Sequence, residues 1–260
     1  MASKGPGMLD QYREIKQEYP DTVLFFRMGD FYEMFYEDAV LGSEVLGITL
    51  TSRDKNAENP VPMAGIPWHS VEDYLRKMVQ SGHKVTVCEQ ASEPLPGEKI
   101  LRRVVSRVYT PGSLYEDSLI GEDGSALLAS VVLKSDSLGL ALLDTSTGRA
   151  WAQQFSGPSR FDRLRDEMLR WSPAELVTTG KDAVNESLRS VIMDVDQLSI
   201  STHDCPPKRR IEVVRHHLEV ADLGSIDLDS RPYGMEACGL GASYISSLHL
   251  IDAVPLREIS

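Results

Sequence analysis

The chain opens with apolar side chains that recur every three or four residues, the spacing of one face of a helix. The members of this face are Met8, Leu9, Tyr12, Ile15 and Tyr19. Pro20 ends the pattern, and the β-branched and aromatic run over residues 22–28 predicts a strand. Gly29 and Asp30 predict a turn, after which residues 31–35 resume as a second short strand.

The rest of the first half alternates between helical and extended patterns. We predict a helix over 36–46, strands over 48–52, 84–89 and 103–109, and a short extended segment over 63–67. The clearest helix start is Ser70, because Asp73 three residues later completes the pattern of a capping box. Together these elements predict a mixed α/β domain.

A polar, turn-rich stretch after Pro111 and Gly112 predicts a domain boundary. We expect a first domain over residues 1–115, a linker over 116–124 and a second domain over 125–260. A chain of 260 residues is long enough for two such domains.

The second domain begins with three closely spaced strands that suit an antiparallel meander, over residues 126–134, 138–144 and 149–155. A helix capped by Ser159, a strand over 174–178 and further helices to about His249 follow. Three antiparallel strands and then alternating helices and strands are the element order of an RNase H-like α/β domain.

Composition indicates a soluble globular protein, with 42% hydrophobic and 25% charged residues. No apolar run is long enough for a membrane span and the first residues do not read as a signal peptide, so we expect a cytoplasmic protein. Cys88, Cys205 and Cys238 are too far apart for a zinc site or a disulfide framework, and we expect reduced, mostly buried thiols.

The net charge of −12 argues against a nonspecific nucleic-acid binder, which needs clustered Lys and Arg. Residues 1–115 hold 13 basic and 16 acidic residues, whereas residues 116–260 hold 14 and 23. If either half contacts DNA, the first half is therefore the better candidate.

Three segments of the first half resemble the MutS family of DNA mismatch repair proteins in order and spacing. They are RMGDFYEMFYEDA (27–39), PVPMAGIPWHSVEDYLRKMVQSGHKVTVCEQ (60–90) and RRVVSRVYTPGS (102–113). In the second half, the element order and ALLDTSTGRAWAQQF (141–155) are similar to the connector domain of that family. The resemblance implies a mismatch-recognition domain followed by an RNase H-like connector domain.

The family's Phe-any-Glu signature falls on Phe31, Tyr32 and Glu33. Because residues i and i+2 of an extended segment point to one side, Phe31 and Glu33 can both face DNA while Tyr32 packs on the protein. The resemblance implies that Phe31 enters the minor groove as a wedge at the mispaired base. Glu33 would repel well-stacked DNA. Beside a displaced base its carboxylate could accept from an imino N–H, whereas donation to a purine N7 would require a protonated Glu33 with a raised pKa.

Further residues match positions where the family contacts DNA near the mismatch. The groove or backbone contacts implied in this way are Met28, Arg53, Pro62 and Met63. Phosphate contacts are possible for Arg27, Lys55, Arg102, Arg103 and Arg107. For each of these, a core methionine or a solvated charge is the open alternative, and Trp68 and His69 are interpreted as packing residues.

Two other functions compete with mismatch recognition. A metal-dependent nuclease is one, since RNase H-like domains can hold two divalent ions on clustered carboxylates. The first strand of the second domain lacks a carboxylate, and Asp144, Asp194 and Asp196 are not in the required arrangement, with Asp144 interpreted as a strand-end or turn residue. The other alternative is a protein-interaction module without DNA binding.

No G-x-x-x-x-G-K-[ST] motif occurs, so we expect no ATP binding, no cofactor and no metal in this chain, although the full-length family uses ATP and Mg. The resemblance implies that the chain is the N-terminal fragment of a longer protein and not itself an enzyme. The implied partners are mismatched double-stranded DNA, a MutL-type matchmaker, the remaining MutS domains and a second MutS subunit. We expect the fragment itself to be monomeric.

Overall fold

The structure, a computed structural model, describes residues 7–53, 58–91, 101–113, 127–218, 231–248, 256 and 258–260. The chain divides into two units between Thr110 and Pro111. The predicted linker over 116–124 lies outside the described residues, and the predicted domain limits stay a prediction.

The first unit is a six-stranded sheet with helices on both faces. Its described elements are α1 (Met8–Glu18), β1 (Thr22–Met28), β2 (Phe31–Phe35), α2 (Tyr36–Leu46), β3 (Thr51–Arg53), β4 (Val61–Pro67), α3 (Val71–Gln80), β5 (Lys84–Gln90) and β6 (Arg103–Tyr109). The strand order is β3-β4-β2-β1-β5-β6, with β1 and β5 parallel and the other neighbours antiparallel. The predicted mixed α/β class is confirmed.

Helix α1 covers part of one sheet face through Tyr12. Its ring packs edge-on against Phe26 and Phe35, with centroids 5.4 and 5.2 Å away. The Tyr12 hydroxyl donates to the buried carboxylate of Asp38 at 2.6 Å, and that carboxylate also accepts from the Leu24 amide at 3.1 Å. The polar groups of this core are thus hydrogen-bonded, and α1 is fixed on the sheet.

Helix α2 packs on the opposite face of the sheet. A Cβ on Gly42 of this helix would lie 2.4 Å from the sulfur of Met34, so a side chain larger than glycine requires Met34 to move. Helix α3 contacts α2 and contributes three buried residues, Leu75, Met78 and Val79.

The helix starts predicted at Ser70 and Ser159 are confirmed, but the predicted side-chain caps are wrong. Ser70 ends a 3-10 turn and has ψ of 12°, and Ser159 before α4 (Arg160–Trp171) has ψ of 11°. A capping side chain reaches back to the helix amides from an extended residue, and both serines are far from that conformation. Neither side chain caps an amide within the described residues.

The second unit contains another six-stranded sheet. Its strands are β7 (Leu127–Leu133), β8 (Ser137–Asp144), β9 (Arg149–Ser156), β10 (Glu175–Thr178), β11 (Ser199–Thr202) and β12 (Glu258–Ile259). Besides α4, its described helices are α5 (Gly180–Ala183), α6 (Glu186–Met193), α7 (Pro207–Leu218) and α8 (Pro232–Ser247). In the order β11-β10-β7-β8-β9-β12, the first three strands in sequence form the predicted antiparallel meander, and β10 lies parallel to β7 and β11. This is the predicted RNase H-like arrangement.

A buried glutamate lies in the core of the second unit. Glu175 is fully buried and accepts hydrogen bonds from the Ser201 hydroxyl, the Tyr244 hydroxyl at 2.7 Å and the Gly112 amide at 3.0 Å. Three donors offset the cost of removing the carboxylate from water.

The three cysteines are buried free thiols, as predicted. Burial raises the pKa of the Cys88 thiol to about 12, which keeps it protonated and unreactive at neutral pH. Among the described helices, none is long and apolar enough to cross a membrane.

Candidate functional site

The turn between β1 and β2 presents Phe31 to solvent. Gly29 has φ of +58°, a conformation that glycine adopts without steric cost, and the chain reverses there so that Phe31 pairs with Met28. The Phe31 side chain is 47% exposed, whereas that of the next residue, Tyr32, is buried. The predicted alternation along β2 is confirmed.

Glu33 lies beside Phe31 on the same sheet face. Its strand neighbours are Phe26 of β1 and Gly65 of β4. A Cβ added to Gly65 would lie 3.6 Å from Cγ of Glu33 and 3.7 Å from Cδ1 of Phe31. Because Gly65 has no side chain, there is room beside the Phe31 and Glu33 side chains. We call Met28, Phe31, Glu33 and Gly65 the open face.

The carboxylate of Glu33 is held in an unfavourable environment. Partial burial raises its pKa, and the positive charge of Arg53 opposes that shift. Within the described part of the chain, no donor is placed to hydrogen-bond this carboxylate. A half-buried acid without a donor is available to accept from a ligand, or to donate to one when protonated.

Cations lie on both flanks of the open face. Arg53 is at the end of edge strand β3, with Nη1 3.6 Å from the sulfur of Met8, and Met63 pairs with Phe35 on the same face. On the other flank, the Arg103 guanidinium lies over the Phe26 ring at 5.4 Å and donates to the Arg27 carbonyl at 3.1 Å. The structure thus brings Phe31, Glu33, Met28, Met63, Arg53 and Arg103 to one face.

Other residues of the predicted set lie elsewhere. Arg27, Pro62 and Arg107 pair with residues of the opposite face, and Arg107 stacks over Tyr109 at 5.0 Å. Arg102 is exposed just before β6. Lys55 lies outside the described residues.

Sequence reasoning missed a cluster behind the open face. The Arg27 guanidinium lies between the rings of Tyr32 at 5.3 Å and Trp68 at 4.9 Å. The Tyr32 hydroxyl donates to Glu89, and burial, followed by this hydrogen bond, raises the pKa of Tyr32. Trp68 is 47% exposed, and its ring contacts this cation and the His69 ring, whose centroid is 6.4 Å away. No local pattern joins these residues, because they come from β1, β2, β5 and the turn after β4.

The acidic residues considered for nuclease chemistry lie in turns and ion pairs of the second unit. Asp144 accepts from the amides of Ser146 and Thr147 at 2.9 and 3.2 Å, which confirms its interpretation as a turn residue. Although burial alone would raise it, the pKa of Asp144 is lowered by hydrogen bonds from the side chains of Ser146 and Thr147 and then by those from their amides. Asp194 pairs with Arg165 at 2.6 Å.

The ends of β7 and α8 hold an ion network instead. Glu236 lies 3.0 Å from Nζ of Lys134 and 3.2 Å from Nη1 of Arg210. Two cations already neutralise this carboxylate. Over the described ranges, no group of three His, Cys, Asp or Glu side chains is placed to hold a metal ion.

Both units match known protein families. Residues 6–118 match the family model for MutS domain I, and residues 126–256 match that for MutS domain II. The DNA mismatch repair protein MutS of Syntrophomonas wolfei is 37% identical over 255 residues, which covers 97% of this chain and 29% of the relative. MutS of Caldanaerobacter subterraneus subsp. tengcongensis is 40% identical over 253 residues, with the same coverage.

The chain spans less than a third of the length of these two relatives. Among solved structures, a Fowlpox virus resolvase in complex with Holliday junction DNA overlaps 47% of this chain and 98% of its own, with 14% identity and a TM-score of 0.35. A likeness of that size supports no conclusion about function.

Proposed function

The chain belongs to the MutS family of DNA mismatch repair proteins, and we propose that its first unit recognises mispaired or unpaired bases in double-stranded DNA. One observation carries this proposal: an exposed aromatic side chain, Phe31, lies beside a half-buried acid without a described donor, Glu33, next to a glycine. One apolar and one polar probe thus project from the same strand.

Phe31 acts as the wedge. Inserted from the minor groove, its ring stacks on the displaced base and kinks the duplex at that step. Unstacking costs a few kcal/mol in normal DNA and less at a mispaired base, so the wedge selects deformable sites without reading sequence. Because Phe31 is nearly half exposed, the ring can leave solvent for a base stack without disrupting the core of the unit.

Glu33 supplies the polar test. Its carboxylate loses more hydration, and meets phosphate repulsion, when DNA closes over the open face. At a normal pair nothing compensates, whereas a displaced base offers an imino N–H, or an N7 acceptor for the protonated acid. The raised pKa of Glu33 favours the protonated form in the second case.

The flanking residues hold the duplex in register. Arg53 and Arg103 lie on opposite sides of the open face, in positions suited to the two phosphate backbones, with Arg102 and Lys55 as further phosphate contacts. Met28 and Met63 are apolar groove contacts. Pro62 and Arg107 pair on the opposite face, which does not favour the contacts with DNA that the resemblance implied for them.

The second unit serves as the connector to the rest of the protein. We place the mismatch-recognition domain at residues 1–115, the linker at 116–124 and the connector at 125–260. In this proposal the connector relays mismatch binding to the ATPase domains and a MutL-type partner, while ATP and Mg are bound outside this chain.

The test uses the longest natural protein that contains this chain, with fluorescence anisotropy of labelled G·T-mismatched and matched duplexes at low salt. Phe31→Ala should reduce the preference for the mismatch at least about fivefold, because aromatic–base stacking is worth about 1–3 kcal/mol. Val40→Ala is the matched control, since Val40 is 46% exposed but lies on α2.

Weak binding to matched DNA should persist in Phe31→Ala, because the phosphate contacts remain. An unchanged mismatch preference would contradict the role of Phe31 and would favour a scaffold function for this unit.

A further inference from the structure

The turn that carries Phe31 is held from the opposite face of the sheet. Arg27 Nε donates to the Gly29 carbonyl at 2.6 Å, and the Trp68 amide donates to the Asp30 carbonyl at 3.0 Å. Both carbonyls of the turn are therefore bonded to the two residues whose side chains stack on each other.

Tyr32 joins this cluster to the next strand. It directly follows Phe31, its ring packs on the Arg27 guanidinium, and its hydroxyl bonds Glu89 of β5. A shift of Tyr32 would move Phe31, because the two residues share a peptide unit and point to opposite faces.

An open cleft lies behind the turn. Its volume is about 510 Å³, and Arg27, Tyr32, Trp68 and Glu89 are among the residues that line it. Cation–π stacking and hydrogen bonds of these four residues connect the turn to β1, β5 and the turn after β4.

We propose that Arg27, Tyr32, Trp68 and Glu89 form a brace that positions Phe31 for insertion, and that Arg27 acts through this brace and not by binding phosphate. This inference rests on the proposed function. A wedge must be rigid, because a turn that yields under load would relax away from the base stack and reduce the difference between mismatched and matched DNA.

Two properties separate the brace from a phosphate contact. If Arg27 bound phosphate, Arg27→Gln would weaken binding to mismatched and matched DNA equally. It would also lower the number of counterions released on binding, read from the salt dependence of the binding constant, by about one. Disruption of the brace leaves matched binding and the salt dependence unchanged, and lowers only the mismatch preference. Arg27→Lys should not rescue the brace, because a lysine lacks the planar group that stacks between two rings, whereas it would restore much of the binding to phosphate.

The experiment measures mismatched and matched duplex binding at several salt concentrations, again in the longest natural protein that contains this chain. We expect Trp68→Ala to reduce the mismatch preference about fivefold, the equivalent of one cation–π contact. Arg27→Gln and Arg27→Lys each remove two such contacts and should reduce it at least as much. Arg13→Gln is the matched control, because Arg13 also stacks on a tyrosine, Tyr36 at 5.7 Å, in the same unit.

A second measurement does not depend on DNA. Amide hydrogen exchange of the 260-residue chain should become faster at residues 29–31 in Arg27→Gln, with residues 23–26 of β1 unchanged. A uniform increase across the unit would indicate a general loss of stability and would contradict a positioning role.

The outcomes separate the two proposals. If Phe31→Ala removes the mismatch preference but Arg27→Gln changes neither preference nor exchange, the brace is wrong and the wedge stands. If Phe31→Ala leaves the preference intact, the proposed function fails, and the exchange result alone decides whether the cluster fixes the turn. If Arg27→Gln weakens binding to mismatched and matched DNA equally and Arg27→Lys restores it, Arg27 binds a DNA phosphate and the brace is wrong.

Discussion

Two glutamates, each on a strand of a six-stranded sheet, have opposite surroundings. Glu175 in the second unit is fully buried and receives three hydrogen bonds. Glu33 in the first unit is half-buried, has a raised pKa, and receives no hydrogen bond from the described residues. The more deeply buried acid is the better satisfied one.

This difference separates a structural carboxylate from a functional one. A buried charge lasts in a fold only when donors replace its lost water, as they do around Glu175. Glu33 receives no hydrogen bond from the described residues and lies at the surface, where a ligand can supply the donor. A carboxylate whose pKa is raised by burial, despite a nearby cation, is a candidate for a binding site.

The largest effect on stability should come from the satisfied acid. Glu175→Ala removes the buried carboxylate that accepts from the Ser201 hydroxyl, the Tyr244 hydroxyl and the Gly112 amide, and should destabilise the second unit by about 3 kcal/mol. Urea denaturation followed by the fluorescence of Trp151 and Trp171 measures this loss. Glu258→Ala, at a side chain 61% exposed, should change little, and equal stability of the two variants would refute the structural role.

A smaller effect, on binding, should come from the unsatisfied acid. Glu33→Ala should tighten binding to matched DNA, because a repulsive charge is removed, and reduce the mismatch preference about tenfold, as expected for one hydrogen bond to a charged group. Anisotropy titrations with both duplexes measure the change. Glu44→Ala removes an exposed charge from α2 and controls for net charge. Equal effects of the two variants on binding would show that Glu33 acts only through its charge and not through a local contact.

The smallest effect concerns the pH dependence of stability. The folded-state pKa of Glu33 lies above its ordinary value of 4.5, so ionisation opposes folding and the unfavourable effect grows as pH rises through the folded pKa. Glu33→Gln should therefore match the wild type below the ordinary value and be slightly more stable at neutral pH, within about 0.5 kcal/mol. Denaturation midpoints from about pH 4 to pH 8 measure this difference. If the wild type instead became more stable than the variant as pH rises, the raised pKa of Glu33 would be contradicted.

Strands and buried helix faces were predictable because their periodicity is local. The predicted strands over 22–28, 31–35 and 103–109 agree with the observed bounds. The β-branched and aromatic runs of the first and third end at Gly29 and Thr110. The strand predicted over 48–52 was displaced: it pairs with β4 only at Thr51–Arg53. Pairing partners, which the local pattern does not contain, set that limit.

Helix caps show the same division. Ser70 and Ser159 have the right residue type but lie at ψ near 10°, whereas Thr179 and Asn185, with ψ of 154° and 123°, cap α5 and α6 by accepting from Asp182 and Leu188 amides. Residue type permits a cap, and the incoming backbone direction decides whether it forms.

The candidate site was predictable where spacing along one strand suffices. Phe31 and Glu33 are two residues apart, so their shared face follows from strand geometry. The face occupied by Arg27 depends on its pairing with Tyr32, and the contacts with Trp68 and Glu89 join distant segments. Such long-range contacts leave no periodic signal in a single sequence.

A substitution at Gly65 should affect protein folding and mismatch recognition to different extents. A methyl group there would meet Glu33 and Phe31 only at ordinary van der Waals distances, so a Gly65→Ala chain should fold and accumulate normally. Under the proposed function, the same methyl would occupy the space in which the two probes meet a displaced base. A genetic screen for protein abundance would pass such an allele, and only a screen for mutation rate would detect it.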